Sequence, residues 1–168
     1  MSNYNFDLEF ACSSCNCNPG CFSWLQPPNQ PDRSGSLLVF GSGCFLALAE
    51  VRPDADSPPR VLSYASNHTG LVTNLRRARS CSSLTSSHTS TSPSPTLFVS
   101  TSADKSACVW ELVVERVGRP RLELLAQLLA HSDSVTAADS LLLGVGTDAF
   151  LIICTISIDS TLRFAFFY

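Results

Sequence analysis

Apolar residues along this chain gather in short runs, each closed by a polar, turn-forming break. Residues 21–25, 37–40, 44–48 and 61–64 make a first set. Between them lie Pro27, Pro28, Asn29, Pro31, Asp32 and Gly35, then Gly41-Ser42-Gly43, then a Pro- and Asp-rich break over 52–60. Short runs bounded by Gly, Pro, Asn and Asp read as β-strands, and four in succession read as an antiparallel meander. A second set follows at 71–75, 96–100, 107–112 and 122–129. Leu, Ala and Gln give 124–129 a helical leaning, but its place as the fourth run of a repeat predicts a strand. A third set, 135–138, 150–156 and 162–167, stops at Tyr168 one strand short of the pattern.

This reading divides the chain into a tail over 1–10 and units over 11–66, 67–130 and 131–168. The second unit carries an insert, 80–95, that is almost entirely Ser, Thr, Pro and His. Such a segment buries too little apolar surface to order itself, so a flexible loop is expected. Within it Ser92-Pro93 and Ser94-Pro95 are candidate phosphorylation sites for proline-directed kinases, close in sequence to Arg76, Arg77 and Arg79. A passive linker is the plainer reading of the same composition. Gly144-x-Gly146 lacks the third glycine and the strand–helix setting of a phosphate loop, so a turn is expected there.

Composition narrows the classes. With 45% hydrophobic residues and ten Phe in 168 residues, the chain can fill a core. Only 15% of residues are charged and the net charge is −3, which gives no basic stripe for nucleic acid. The apolar run over 150–158 is rich in β-branched residues and shorter than the roughly 18–20 residues of a spanning helix. Asp7 and Glu9 stand where a secretory leader needs a basic start and an apolar run. The eight cysteines are therefore expected to be thiols or metal ligands, not disulfides. Cys12, Cys15, Cys17 and Cys21 could surround a zinc ion. Structural zinc sites pair two knuckles across a longer spacer, and no second Cys-x-x-Cys exists here, so packing of small apolar thiols is the favoured reading. No cofactor is expected.

Two sets of polar residues stand out against this background. His68 precedes the first strand of the second unit, and Ser100, Asp104 and Trp110 are spread across the following hairpin. In the third unit His131, Thr155 and Asp159 take the matching places, while Ala165 stands where Trp110 would fall. The first unit has no His–Asp pair. This arrangement resembles the WD40 repeat, in which Asp in a tight turn accepts from His, His meets Ser or Thr, and the Trp N–H closes the series. Buried polar groups must be paired, so such a network specifies a fold. The resemblance implies an all-β chain of WD40 β-propeller blades, an incomplete propeller of two blades plus part of a third.

The order of features is more specific still. The Cys-rich start, Gly20-Cys21-Phe22-Ser23-Trp24, Leu38-Val39-Phe40-Gly41-Ser42 and Asn67-His68-Thr69-Gly70-Leu71-Val72 resemble, in this order, the N-terminal blades of the Elongator second-subunit family. Leu97-Phe98-Val99-Ser100-Thr101-Ser102-Ala103-Asp104 leading to Trp110-Glu111 continues the match. That resemblance implies a double-propeller scaffold, cytoplasmic and nuclear. Its partners would be the large scaffold subunit and the catalytic acetyltransferase subunit, in a complex that modifies tRNA wobble uridine and has been linked to transcript elongation. It departs from the family in being too short for two propellers and in carrying Ala165. Two alternatives stay open: an adaptor of an unrelated complex, and a small zinc-binding module built on the N-terminal cysteines. Direct tRNA contact is left open, and no membrane contact is expected.

Catalysis finds no convergent acid, base and nucleophile, since His68 and His131 belong to the networks and Cys81 and His88 lie in the expected loop. A propeller hides its strand edges by radial closure of roughly four to eight blades. Fewer than three complete blades leave edges and faces open, so poor solubility or pairing with other chains is expected.

Overall fold

The computed structural model describes residues 15–25, 36–52, 59–80, 95–114, 119–144 and 149–168, and all regular structure among them is β. The first sheet is a meander of β1 (Phe22–Leu25), β2 (Ser36–Ser42), β3 (Phe45–Val51) and β4 (Arg60–Ser66). The second contains β5 (Val72–Arg77), β7 (Leu97–Ser102), β8 (Ala107–Val113) and β9 (Arg121–Leu128), again in chain order. Between β5 and β7 lies β6 (Arg79–Ser80). The third sheet holds β10 (Val135–Leu143), β11 (Phe150–Ser157) and β12 (Leu162–Phe167), with β6 on the free edge of β10.

Each apolar run of the sequence overlaps one of these strands, including 124–129, which contributes to β9 and not to a helix. The 150–158 run contains the whole of β11, and among the described residues no helix is long and apolar enough to cross a membrane. Turn chemistry sets the hairpins. Ser42 pairs with Phe45, leaving Gly43-Cys44 as the loop, and Gly43 takes φ +60°. A glycine at the first central position is what a type II′ turn requires.

The second unit departs from expectation at one point. The insert was expected to leave the strands at Ser80, but Ser80 pairs with Leu142 and Arg79 with Leu141, parallel to β10. The chain crosses from the second sheet to the third at Ala78, so the third unit, one strand short by its own sequence, becomes four-stranded. Arg79 holds the crossing with an ion pair to Asp139 at 2.5 Å. Most of the insert, including Ser92 and Ser94, lies outside the described residues, as do His88, Cys12 and Gly146. Gly144 has φ +84°, in keeping with a turn.

The sheets stack face to face around two cores. Alternation along β2 and β3 sends Leu37, Val39, Leu46 and Leu48 towards the second sheet, where Phe98, Trp110 and Leu112 meet them. The opposite face of the second sheet sends Leu97, Val99, Ala107 and Val109 against Ala138, Leu142, Leu151 and Ile153 of the third. Period-two alternation with both faces of the middle sheet covered explains why β7 is buried along its whole length and β8 over its first four residues.

Candidate functional site

The β7–β8 turn builds the first polar cluster. Lys105 N–H donates to the Ser102 carbonyl at 3.3 Å, and Ser102 N–H donates to the Ser106 carbonyl at 3.1 Å. This places Lys105 at φ 74°, the left-handed residue that follows a type I turn in a three-residue hairpin. Asp104 organises the turn through its own side chain. Its Oδ1 accepts from Ser106 N–H at 2.9 Å and from the Ser106 hydroxyl at 2.5 Å. An aspartate is suited to this position because its short carboxylate reaches a backbone amide two residues on.

The second carboxylate oxygen looks away from the turn. Asp104 Oδ2 accepts from Thr69 N–H at 2.8 Å and lies 3.1 Å from His68 Nδ1. His68 Nε2 is 2.7 Å from Ser100 Oγ, which in turn accepts from Trp110 Nε1–H at 2.8 Å. One proton arrangement satisfies every contact. The indole donates to Ser100, the Ser100 hydroxyl donates to Nε2, and Nδ1–H is shared between the carboxylate and Ser106 Oγ, 3.0 Å away. His68 is 3% exposed and Trp110 2% exposed, so the network joins the segment before β5 to β7 and β8 from inside the first core. The segment carrying His68 is pinned further by Ala103 N–H donating to the Leu71 carbonyl at 2.9 Å. Gly70 permits that approach, because a Cβ there would sit 2.7 Å from the Asp104 backbone nitrogen.

The third sheet repeats the construction. His131 Nδ1 is 3.0 Å from Asp159 Oδ2, and His131 Nε2 is 2.9 Å from Thr155 Oγ1. Ser132 N–H donates to Asp159 Oδ2 at 2.9 Å, and the Thr161 hydroxyl donates to Asp159 Oδ1 at 2.6 Å. Ser160 takes φ 64°, matching Lys105. With Ala165 in place of a tryptophan, the series ends at Thr155.

Sequence reading missed several partners. Ser106 and Thr161 each stand two residues after the aspartate, and Ser102 and Ser157 two before it. Ser102 Oγ accepts from Asp104 N–H, and Ser157 Oγ from Asp159 N–H, both at 3.1 Å. The repeated Ser-x-Asp-x-Ser/Thr spacing was a usable signal. Asn16 left no such signal. Its Nδ2 donates to the carbonyls of Gly43 and Val72, both at 2.9 Å, and its Oδ1 accepts from Gly43 N–H at 2.7 Å. It ties the β2–β3 turn to β5, where the first sheet has no His–Asp pair.

The described N-terminal cysteines diverge. Cys15 and Cys17 are exposed, whereas Cys21 is buried and its thiol donates to the Val72 carbonyl at 3.3 Å. Burial, with the neighbouring Cys17, pushes the Cys21 thiol up to about 11. Cys108 lies 3.9 Å from His68, but burial pushes its thiol to about 11 as well, and Asn67 Nδ2 donates to it at 3.3 Å. A buried, protonated thiol is a packing group and not a nucleophile. Arg76, Arg77 and Arg79 line a cleft of about 450 Å³ with Phe22, Asn74 and Asp139.

The network is tuned to neutral pH. Burial lowers the proton affinity of His68 below its ordinary 6.5, although Asp104 pulls the other way. Burial would raise the Asp104 carboxyl, but hydrogen bonds from Ser106 and the Thr69 amide, with His68 beside it, bring it from 3.8 to about 2. The Thr161 hydroxyl, ahead of the backbone amides, holds Asp159 below the usual carboxylate range. All three shifts act in one direction. The unfolded chain takes up protons that the folded chain refuses, so stability present above pH 6.5 falls in acid, first through His68 and then through the aspartates. The thermal midpoint is expected to decline below about pH 6 and more steeply between about pH 4 and pH 2. Melting curves by circular dichroism check this, and a midpoint unchanged from neutral pH down to about pH 3 would contradict the assignment.

No protein-family model matches this sequence, and no curated protein matches it significantly.

Proposed function

We propose that this chain is a non-catalytic WD40-type scaffold, a set of propeller blades whose loops and faces bind protein partners. The observation that carries this reading is the twice-built network of His, Ser or Thr and Asp, at His68 and at His131, on successive stacked sheets. Its members face inward and satisfy one another, which suits a framework and leaves no free acid, base or nucleophile among them. Surface complementarity is then the mechanism.

The order of motifs along the chain supports a place in an Elongator-type assembly. There the chain would dock the large scaffold subunit and the catalytic acetyltransferase subunit, in cytoplasm and nucleus, and serve wobble-uridine modification of tRNA and, through the same contacts, transcript elongation. Affinity purification of the tagged chain from its own cells, followed by mass spectrometry, tests this. The large and catalytic Elongator subunits are expected in the eluate. Subunits of another complex would make the chain a WD40 adaptor elsewhere, and chaperones alone would remove the scaffold reading for this chain.

A further inference from the structure

We infer that the cleft where the three sheets meet binds a phosphate monoester dianion. Its described walls come from the leading strand of every sheet: Phe22 from β1, Asn74, Arg76 and Arg77 from β5, and Asp139 from β10, with Arg79 of β6 beside it. The packing of β1, β6 and β10 around β5 sets these walls. The cleft holds about 450 Å³, room for a phosphate group and a small organic part.

Charge selects the ligand. Three arginines against one aspartate leave the described walls at a net +2, in a chain whose net charge is −3. Arg79 is paired with Asp139 at 2.5 Å, whereas Arg76 and Arg77 have no ion-pair partner among the described residues. Two unpaired guanidinium groups match a phosphate monoester, which carries about −1.5 to −2 at neutral pH. A carboxylate or a phosphodiester brings a single charge and leaves one guanidinium without a partner.

Asn74 and Gly20 show where the phosphate sits. Asn74 is 6% exposed, and its Oδ1 is buried without a donor. The fold therefore does not hold this amide through its oxygen, and an unpartnered buried polar side chain calls for a reason. A Cβ at Gly20 would stand 2.7 Å from Asn74 Nδ2 and 3.9 Å from Arg76 Nη2. Two donors thus converge on space left open by the missing side chain. A phosphate oxygen placed there accepts from the amide and the guanidinium together, and Arg77 supplies the second charge. Phe22, an exposed ring on the same cleft, offers an apolar wall to the organic part of the ester. The inference rests on the cleft and not on the scaffold reading, so a chain that captures no Elongator subunit leaves it standing.

Isothermal titration calorimetry with phenyl phosphate on the purified chain, in low salt at about pH 7.5, tests it. A dissociation constant of roughly 0.1–1 mM is expected. Benzoate, with one charge on the same ring, is expected to bind at least about fivefold more weakly. The Arg76 and Arg77 side chains are exposed, so Arg76→Gln and Arg77→Gln do not enter a core. Each is expected to weaken binding at least about fivefold, with far-UV circular dichroism checking that the sheets persist. Asp139→Asn keeps an acceptor for Ser140 N–H, removes the opposing charge and releases Arg79. It is expected to tighten binding about two- to fivefold, a gain that unfolding cannot produce. A phosphoserine peptide that binds more tightly than phenyl phosphate places the ester on a protein side chain, and the reverse order places it on a small molecule. Absence of binding up to about 10 mM phenyl phosphate would overturn the assignment. So would benzoate binding equally well, single-stranded RNA binding where phenyl phosphate does not, or a chain carrying both glutamines that binds like the parent.

Discussion

Trp110→Ala is expected to destabilise the chain by about 3–5 kcal/mol, the range for removing a large aromatic from a packed core. Trp110 sits among Leu25, Leu48, Leu75 and Phe98, where the first two sheets meet. Its loss leaves a cavity there and also removes the indole donor to Ser100 Oγ. Both effects act on one sheet interface, and a domain of this size holds only about 5–15 kcal/mol in all. Trp110→Phe separates them: most of the packing survives, the hydrogen bond does not, and about 1–2 kcal/mol is expected to go. Urea titration followed by far-UV circular dichroism measures both. An alanine variant within about 1 kcal/mol of the parent would mean that the indole is not part of the core.

Asp104→Ala is the second large loss. It strips acceptors from Thr69 N–H and from the Ser106 amide and hydroxyl together, and leaves His68 Nδ1–H with Ser106 Oγ alone. Buried donors left unpaired cost about 1–3 kcal/mol each, partly relieved where water reaches the turn, so a total of about 3 kcal/mol is expected. Asp104→Asn is informative because its amide oxygen can still serve the turn at Ser106. The amide NH2 would then face His68 Nδ1–H and Thr69 N–H, donor against donor, so the asparagine is expected to recover less than half of the alanine loss. Recovery of nearly all of it would show that the carboxylate matters for the turn and not for the histidine. The effects of Trp110→Ala and Asp104→Ala are expected to sum to more than the double variant loses, since both break one hydrogen-bonded series. In the third sheet the same substitution at Asp159 removes a series that ends at Thr155, so no core tryptophan is released with it.

Much of this was legible in the residues. Strand positions follow from short apolar runs and from the turn formers between them, because a period of two and a turn's backbone demands are local properties. The two sets of His, Ser or Thr and Asp were visible as a repeated spacing, and Ala165 as the gap in the second. The roles of Ser106 and Thr161 were present in the spacing as well, although only the geometry gave them meaning: they close the turn that aims the aspartate.

Other features depended on contacts between distant parts of the chain. Nothing near Arg79 and Ser80 marks them as a strand; they pair because the edge of β10 lies beside them once the second and third sheets have packed. Asn16 clamps backbone atoms of Gly43 and Val72, which are adjacent only in the folded chain. The directional stack of the three sheets is likewise a property of how sheets meet. Alternation along a strand says that a face is apolar, and the sequence by itself determined that much for all three units. Which apolar faces meet each other was decided by tertiary structure, because burial is settled by what packs against a face and not by the residues that compose it.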